Sequence, residues 1–557
     1  MSLLYSILHS IRWFLTGSFS LLWEDRLAVL VAGVLVAAAY FYFQRTPLTL
    51  TPRLKNLILT AYGIYVGYFF INVTSPFFEG DAGNIIAGAA QMMAQVEKPI
   101  LYNYSTQPFT YTALIFFSRL SGLDPAASST LIAHLSLVMV LVLCYLAGRR
   151  LRSEAFALGL TGMNLLIHEL LIDGCYYNSN IPAMACLYLA GYILIRTHSS
   201  TVWTAVAALL ASCAFFFRVD IVLMLPALAL IPVFQKKYRS VAVAAVTFAA
   251  VSACIIWLAQ VKFSFVTGIT KHHFGHLYNR TFPVLHTLLA APLSVLIFSL
   301  IGFIDYIHKK NGRVIIFVPV SVLPLFLFYL YGNTTPKYLL YAYPVAAWLA
   351  VDGFLYVKNY PNRLSGAVIN CALILLLVWQ VVLAGLSFSL SDGWSNCLRR
   401  KTLLTVPTQD NSRALAGSAL YPLLKFEDNA LMEQRVSRVL RLEDNKNKVI
   451  WVGWNYYGIF NYFYTRQAVS ISEETQHPHP KKTYRLPNGT EVMIVEFRFD
   501  SENADFEDEL KSFYKQGYIN IFVTYNLDFV KKAAGKNAAN MNCFTFNDDP
   551  FLFVVKK

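Results

Sequence analysis

Charge is scarce in this 557-residue sequence: Asp, Glu, Lys and Arg together make up 14%, against about 25% in a soluble globular protein. Acidic residues are scarcest of all in the first 390 positions, which hold only Glu24, Asp25, Glu79, Asp81, Glu97, Asp124, Glu154, Glu169, Asp173, Asp220, Asp305 and Asp352. A water-exposed globular body of that length is excluded. The eight cysteines include no CxxC pair, so no paired-cysteine metal or redox motif is present. There is no internal repeat, no low-complexity tract and no Walker or GxGxxG fingerprint, which argues against direct ATP hydrolysis.

What the sequence has instead is apolar length. Hydrophobic residues reach 56% and aromatics 15%, and runs long enough to cross a bilayer recur from residue 27 to 390. The formal net charge of +14 is uneven: residues 391–557 carry 22 basic and 20 acidic side chains, which leaves a net +12 on the first 390. That excess is a topology signal of a membrane body and not a nucleic-acid signal. The fold class expected is a polytopic α-helical membrane protein with a C-terminal α/β soluble domain.

Basic residues gather in every second loop: Arg45, Arg53 and Lys55; Arg149, Arg150 and Arg152; Arg196; Lys236, Lys237 and Arg239; Lys309, Lys310 and Arg313; Lys358 and Arg363. The positive-inside rule places these loops in the cytosol. The compatible spans run near 27–43, 57–73, 126–148, 155–172, 181–195, 202–217, 219–234, 240–260, 288–308, 314–331, 337–357 and 364–388, about twelve transmembrane helices. Phe109 to Leu120 is too short to span comfortably and reads as an interfacial helix. Residues 1–26 read as an interfacial or additional helix. Segments 74–125, 173–180, 261–287 and 332–336, the turn at Arg218–Asp220, and all of 391–557 then fall on the outer face. In the last of these, Lys448 to Trp454, Glu491 to Phe497, Tyr518 to Val523 and Phe551 to Val555 have strand character, and Glu502 to Tyr514 helical character. Cys144, Cys186, Cys213, Cys254 and Cys371 lie in apolar runs as structural thiols, and Cys397 and Cys543 are candidates for a disulfide if that segment is outside the cytosol.

Five groups of polar residues stand out against this background. Glu79 and Asp81 flank Gly80 where the chain leaves the 57–73 run, at the head of a long aromatic and polar loop; either they face a ligand or they are solvated. Glu169 and Asp173 are four apart and share a helix face, with His168 beside them. Such a pair holds a divalent cation, divides acid and base roles, or merely ends a helix in solvent. Arg218 and Asp220 are the only charges between Val202 and Phe234, and read equally as a phosphate-binding pair or a structural ion pair. Lys271, His272, His273, His276, Arg280 and His286 form a basic patch with no carboxylate nearby, suited to a lipid phosphate. Lys337 and Tyr338 open a span, where Lys337 either snorkels to headgroups or points into a cleft.

The order and sidedness of these features resemble the GT-C superfamily of integral membrane glycosyltransferases, in particular the protein mannosyltransferase and lipid A aminoarabinose transferase branch. The resemblance is carried by Glu79-Gly80-Asp81 after an early span, by a long first outer loop leading through Gln107-Pro108-Phe109-Thr110-Tyr111 into an interfacial helix and a span ending Gly148-Arg149-Arg150-Leu151, by Lys337-Tyr338-Leu339-Leu340-Tyr341-Ala342-Tyr343-Pro344, and by a soluble outer domain after the last span. It implies a transmembrane catalytic domain over 27–390 and an extracytoplasmic domain over 391–557 in a plasma (inner) membrane protein. It also implies transfer of a sugar from a polyprenyl-phosphate-linked donor to a glycan, lipid or protein acceptor, with inversion at the anomeric carbon and no nucleic-acid partner. On the same resemblance Asp81, with Glu79 as its neighbour, is the catalytic carboxylate. Lys337, Arg218, Lys271 and Arg280 bind the donor phosphate, while Glu169, Asp173, His168, Asp220 and Tyr338 position the acceptor or a divalent cation such as Mg or Mn. The alternative is a transporter or flippase of a lipid-linked or anionic substrate, which would bind at midplane through broken helices and inverted repeats; the sequence displays neither.

Overall fold

The computed structural model describes residues 50–73, 80–94, 108–259, 293–331, 336–358, 447–465, 469–474, 481–497, 512, 515–516, 520–524, 542–546 and 549–556. The expected helices at 27–43 and 364–388, the basic patch with Lys271 and Arg280, Glu79, Cys371, Cys397 and most of Glu502 to Tyr514 lie outside these residues. Two compact units emerge. The first comprises residues 1–74, 99–110 and 130–427, the second residues 75–98, 111–129 and 428–557.

Helices α1 (Pro52–Val73), α2 (Gly80–Ala94), α3 (Pro108–Ser121), α4 (Pro125–Leu151), α5 (Glu154–Leu165), α6 (His168–Asp173), α7 (Asn180–Arg196), α8 (Thr201–Phe217), α9 (Leu225–Phe234), α10 (Tyr238–Ala259), α11 (Leu293–His308), α12 (Gly312–Tyr331) and α13 (Tyr343–Lys358) follow the apolar runs. Among the described residues, Pro125–Leu151, Tyr238–Ala259 and Leu339–Val357 are long and apolar enough to cross a membrane, and five shorter apolar helices accompany them. Local sequence sets several boundaries. Asp124 Oδ1 accepts the Ala127 amide at 2.9 Å ahead of Pro125, and Ser153 Oγ accepts the Phe156 amide at 3.2 Å, so each helix starts on a side-chain cap.

Three segments read as single spans are interrupted, which corrects the expectation of unbroken helices. The 155–172 segment ends its first helix at Leu165 and restarts at His168. The 219–234 segment opens with a 3-10 helix, Val219–Met224, before α9, and the 337–357 segment opens with another, Pro336–Ala342, before α13. The last two share a cause: Pro226 and Pro344 are each the second residue of the α-helix that follows, where a missing N–H costs nothing inside the helix but withholds a donor from the preceding turn. Both 3-10 helices pack against α12.

In the first unit α11 and α13 pack closest. Gly302 and Gly353 face each other there: a Cβ on Gly353 would run into the Phe298 carbonyl, and one on Gly302 into that of Leu349. Ser299 Oγ lies 2.6 Å from the carbonyl oxygens of Val295 and, across the pair, Ala346. Two backbones this close leave no room for a methyl group. Gly353→Ala is therefore expected to destabilise the protein by about 1–3 kcal/mol through overpacking, read as a lowered thermal midpoint in detergent.

The loop expected to be cytosolic is organised by ion pairs. Glu154 meets Lys55 at 2.9 Å and Arg149 at 3.0 Å, and accepts a hydrogen bond from the Tyr145 hydroxyl. That hydroxyl first, and then the Lys55 ammonium, hold the Glu154 carboxyl below its ordinary range. A carboxylate with a depressed folded-state pKa contributes stability above its unfolded value of about 4.3, and the contribution is lost as pH falls through the folded value. Glu154→Gln should thus cost up to about 1 kcal/mol at neutral pH, because the group is partly exposed. Its thermal midpoint should converge on that of the wild type as pH falls below the folded value. Nearby, the Tyr306 hydroxyl donates to Asp352 at 2.6 Å and Lys309 pairs with Asp305 at 2.6 Å.

In the second unit, a seven-stranded sheet is built from β1 (Lys448–Gly453), β2 (Val469–Glu474), β3 (Lys481–Arg485), β4 (Glu491–Phe497), β5 (Asn520–Thr524), β6 (Asn542–Phe546) and β7 (Asp549–Lys556), in the order β2-β3-β4-β1-β5-β7-β6. β1 is parallel to β4 and β5, with Ile450 opposite Ile494 and Phe522, and the outer strands are antiparallel. Helix α14 (Trp454–Thr465) follows β1 directly and packs on β1, β3 and β4. Val449, Ile450, Phe460, Tyr462, Tyr464, Tyr484, Val492, Ile494 and Val495 are buried there, and the Tyr484 hydroxyl is held by Asn461 Oδ1 at 2.8 Å. Burial pushes the Tyr464 phenol well above its ordinary range.

Candidate functional site

In the first unit, the polar residues of three segments converge. Asp173 ends α6 and is fully buried. Its Oδ1 accepts the Tyr176 hydroxyl at 2.7 Å and the Asn178 amide at 3.0 Å, and its Oδ2 accepts the Asn180 amide at 3.3 Å. Asn178 Oδ1 in turn accepts the backbone N–H groups of Asn180 and Ile181 at 2.7 and 3.2 Å, which caps α7. The Tyr177 hydroxyl donates to the carbonyl of Thr110 at 2.6 Å, and Phe109 packs edge-on against Phe216 and Phe217. Residues 108–110, 173–180 and 216–220 form one connected array.

Arg218 closes that array. It is the extended residue (φ −158, ψ 121) between α8 and the following 3-10 helix. Its Nε donates to both oxygens of Asp220 at 2.9 and 3.1 Å, and its Nη1 reaches Ser179 Oγ at 3.3 Å. The ion-pair reading of Arg218 and Asp220 is what the geometry realises. A guanidinium fixed along one edge keeps its orientation, which is what a fork-shaped anion ligand requires. With 8% of its surface exposed, this pair sits where an unpartnered charge would be costly.

The solvent-capped reading of Glu169 and Asp173 is overturned: they are 6% and 0% exposed. A carboxylate offers roughly four lone-pair sites, and three of those on Asp173 are committed to neutral donors. No group of three His, Cys, Asp or Glu able to hold a metal occurs among the described residues.

The 3-10 helix bearing Lys337 and Tyr338 packs against α6, which bears His168, Glu169 and Asp173. It is pinned by the Tyr188 hydroxyl, which donates to the Tyr341 carbonyl at 2.9 Å. The structure thus brings the backbones at 168–173, 179–180, 218–220 and 336–342 into one unit. Asp81 is elsewhere, as the second residue of α2 in the other unit. The polar run Tyr176-Tyr177-Asn178-Ser179-Asn180 matches none of the sequence motifs. Its signal was legible: five polar side chains in a row between two apolar spans need partners wherever water is absent.

No protein-family model matches the chain, and no curated protein matches it by sequence. Its fold is matched by solved structures. ArnT from Cupriavidus metallidurans, crystallised bound to undecaprenyl phosphate, superposes with a TM-score of 0.51 at 12% identity over 90% of this chain and 97% of that chain. The apo form gives 0.52 at 12% identity, over 89% and 97%. The chain has a GT-C fold. The archaeal oligosaccharyltransferase AglB from Archaeoglobus fulgidus, in complex with an inhibitory peptide and a dolichol-phosphate, is found at a TM-score of 0.48 and 9% identity, over 87% of this chain and 71% of that one. Within the GT-C fold of this chain, the breaks before α6, α9 and α13 are where the buried polar array and the Lys337 segment lie.

Proposed function

We propose that this protein is a membrane glycosyltransferase that moves a sugar from a polyprenyl-phosphate-linked donor to an acceptor on the outer face of the membrane. The observation that carries the reading is a fold shared along nearly the whole of ArnT, a protein seen with undecaprenyl phosphate bound. The domain scheme is a membrane body over 27–390 and an extracytoplasmic domain over 391–557 in a plasma (inner) membrane protein.

In the proposed reaction an acceptor hydroxyl attacks the anomeric carbon from the face opposite the phosphate. The new C–O bond forms as the bond to the phosphate oxygen breaks, and the phosphate leaves with the electron pair. The hydroxyl proton passes to the Asp81 carboxylate, and the anomeric centre inverts. Lys337 and Arg218, with Lys271 and Arg280, neutralise the departing lipid phosphate. Asp220 and Ser179 orient Arg218, and Asp173 acts through the asparagines it holds. Glu169, His168 and Tyr338 are assigned to positioning the acceptor.

The test is turnover by purified protein in liposomes of a polyprenyl-phosphate sugar labelled in the sugar, without nucleotide. Release of free polyprenyl phosphate with label on an acceptor supports the reading. Transfer from nucleotide sugars alone overturns the donor assignment. Movement of intact donor across the bilayer without cleavage would favour a flippase.

A further inference from the structure

The segment that carries Asp81 is not a solvated loop. Helix α2 reads Gly80-Asp81-Ala82-Gly83-Asn84-Ile85-Ile86-Ala87-Gly88-Ala89-Ala90-Gln91-Met92-Met93-Ala94. Ala82, Ile86 and Ala89 are fully buried, and Ile85, Ala87 and Met92 nearly so. A lone amphipathic helix on a surface would bury one stripe; this helix is enclosed on most of its circumference, and small residues let its neighbours approach its backbone.

The neighbour is α14 of the sheet-bearing region. Gly458 lies so close that a Cβ there would collide with the Gly83 carbonyl carbon and the Asn84 amide nitrogen, and would fall 2.7 Å from Asn84 Oδ1. Those are backbone atoms two and three residues from Asp81, so no side-chain rotation relieves the clash. One turn beyond the middle of α2, Gln91 Oε1 accepts from the Lys482 ammonium on β3 at 2.6 Å; Lys482 is 5% exposed. At the far end of the same outer segment, the Tyr462 hydroxyl of α14 donates to Asp124 at 3.3 Å. The described contacts therefore hold the first outer segment at Gly83 and Asn84, at Gln91 and at Asp124.

We propose that the C-terminal domain sets the position of Asp81, with Gly458, Lys482 and Gln91 as positioning residues for the transfer reaction. The proposal rests on the reading of Asp81 as the base. Physically, a base must meet the acceptor hydroxyl within hydrogen-bond reach. A helix fixed at its backbone by Gly458 and at its side by Lys482 has neither axial nor rotational freedom to lose that register. None of the three touches substrate. Their effect belongs on the chemical step and not on donor binding, which is assigned to Lys337 and Arg218.

The experiment uses the full chain in liposomes with Lys482→Met, Gly458→Ala and the exchange pair Lys482→Gln with Gln91→Lys. Two quantities are read: kinetics with a polyprenyl-phosphate sugar, and amide hydrogen exchange resolved by peptide. In Lys482→Met and Gly458→Ala, exchange over 80–94 should rise about tenfold or more while exchange over 130–259 keeps the wild-type rate. In the same variants kcat should fall about 10- to 100-fold with KM for the donor within about twofold. The exchange pair, which rebuilds the hydrogen bond with its ends reversed, should recover most of kcat. Unchanged exchange over 80–94, an equal rise throughout both units, unchanged kcat, or no recovery in the exchange pair overturns the proposal. A wild-type protein that turns over no lipid-linked sugar would instead sink the functional reading, and the exchange data would still report whether the domain holds α2.

Discussion

Asp81→Asn should leave the protein folded and lower sugar transfer by about 10²–10⁴-fold, the range a positioned general base contributes. Asn keeps the size of the side chain and removes its capacity to take a proton. Asp81 is the second residue of α2, where a negative charge favours the positive end of the helix dipole, so the stability loss should stay at about 0.3–1 kcal/mol. The measurement is steady-state transfer in liposomes beside a thermal melt of the same preparation. A large fall in kcat with a nearly unchanged midpoint places Asp81 at the chemical step. Full activity removes it from the mechanism, and Glu79→Gln is then the comparison that decides whether the neighbouring carboxylate does the work.

The second large effect is on stability. Asp173→Ala leaves the Tyr176 hydroxyl and the side-chain amides of Asn178 and Asn180 without the acceptor they now share. Each buried donor stranded in this way costs about 1–3 kcal/mol, so a loss of about 3 kcal/mol or more is expected. The conservative change should behave differently. Asn180 Oδ1 is buried with no hydrogen-bond partner among the described residues, so in Asp173→Asn the Asn180 amide can flip and accept from the new NH2 group, while the oxygen that serves Tyr176 and Asn178 is retained. A cost of about 1 kcal/mol is expected there. Thermal unfolding in detergent compares the two. Equal destabilisation by Ala and Asn would mean that the negative charge of Asp173, and not its acceptor geometry, holds the array together.

The two effects differ in kind because the two carboxylates occupy different physical situations, which the sequence did not separate. Both are rare acids next to apolar runs, and in the sequence Glu169 and Asp173 stand as competitors of Asp81. Burial decides part of this: Asp173 is committed to three donors, whereas the route by which α2 holds Asp81 runs through the backbone of Gly83 and Asn84. Arg218 and Asp220 pair with each other. A charged pair two residues apart in an apolar hairpin has few other partners within reach, so the ion pair was legible from spacing alone.

By itself the sequence determined where most of the described apolar helices and four of the sheet's strands run, and the caps at Asp124 and Ser153 and the proline-led starts set several helix ends. These follow from interactions within a few residues: capping hydrogen bonds, proline's missing donor, and the alternation or continuity of apolar side chains. The same local chemistry also carried the order of motifs that resembled the GT-C superfamily, and the shared fold agrees with it. Only the tertiary structure decided that three expected spans are interrupted, that Asp173 is enclosed by its own downstream asparagines and tyrosine, and that α2 is gripped by a helix more than 360 residues later in the chain. Such contacts depend on which backbones come close enough to exclude a Cβ. No periodicity in the sequence encodes that distance; a glycine at 458 and another at 83 acquire their meaning only when the chain has folded to bring them together.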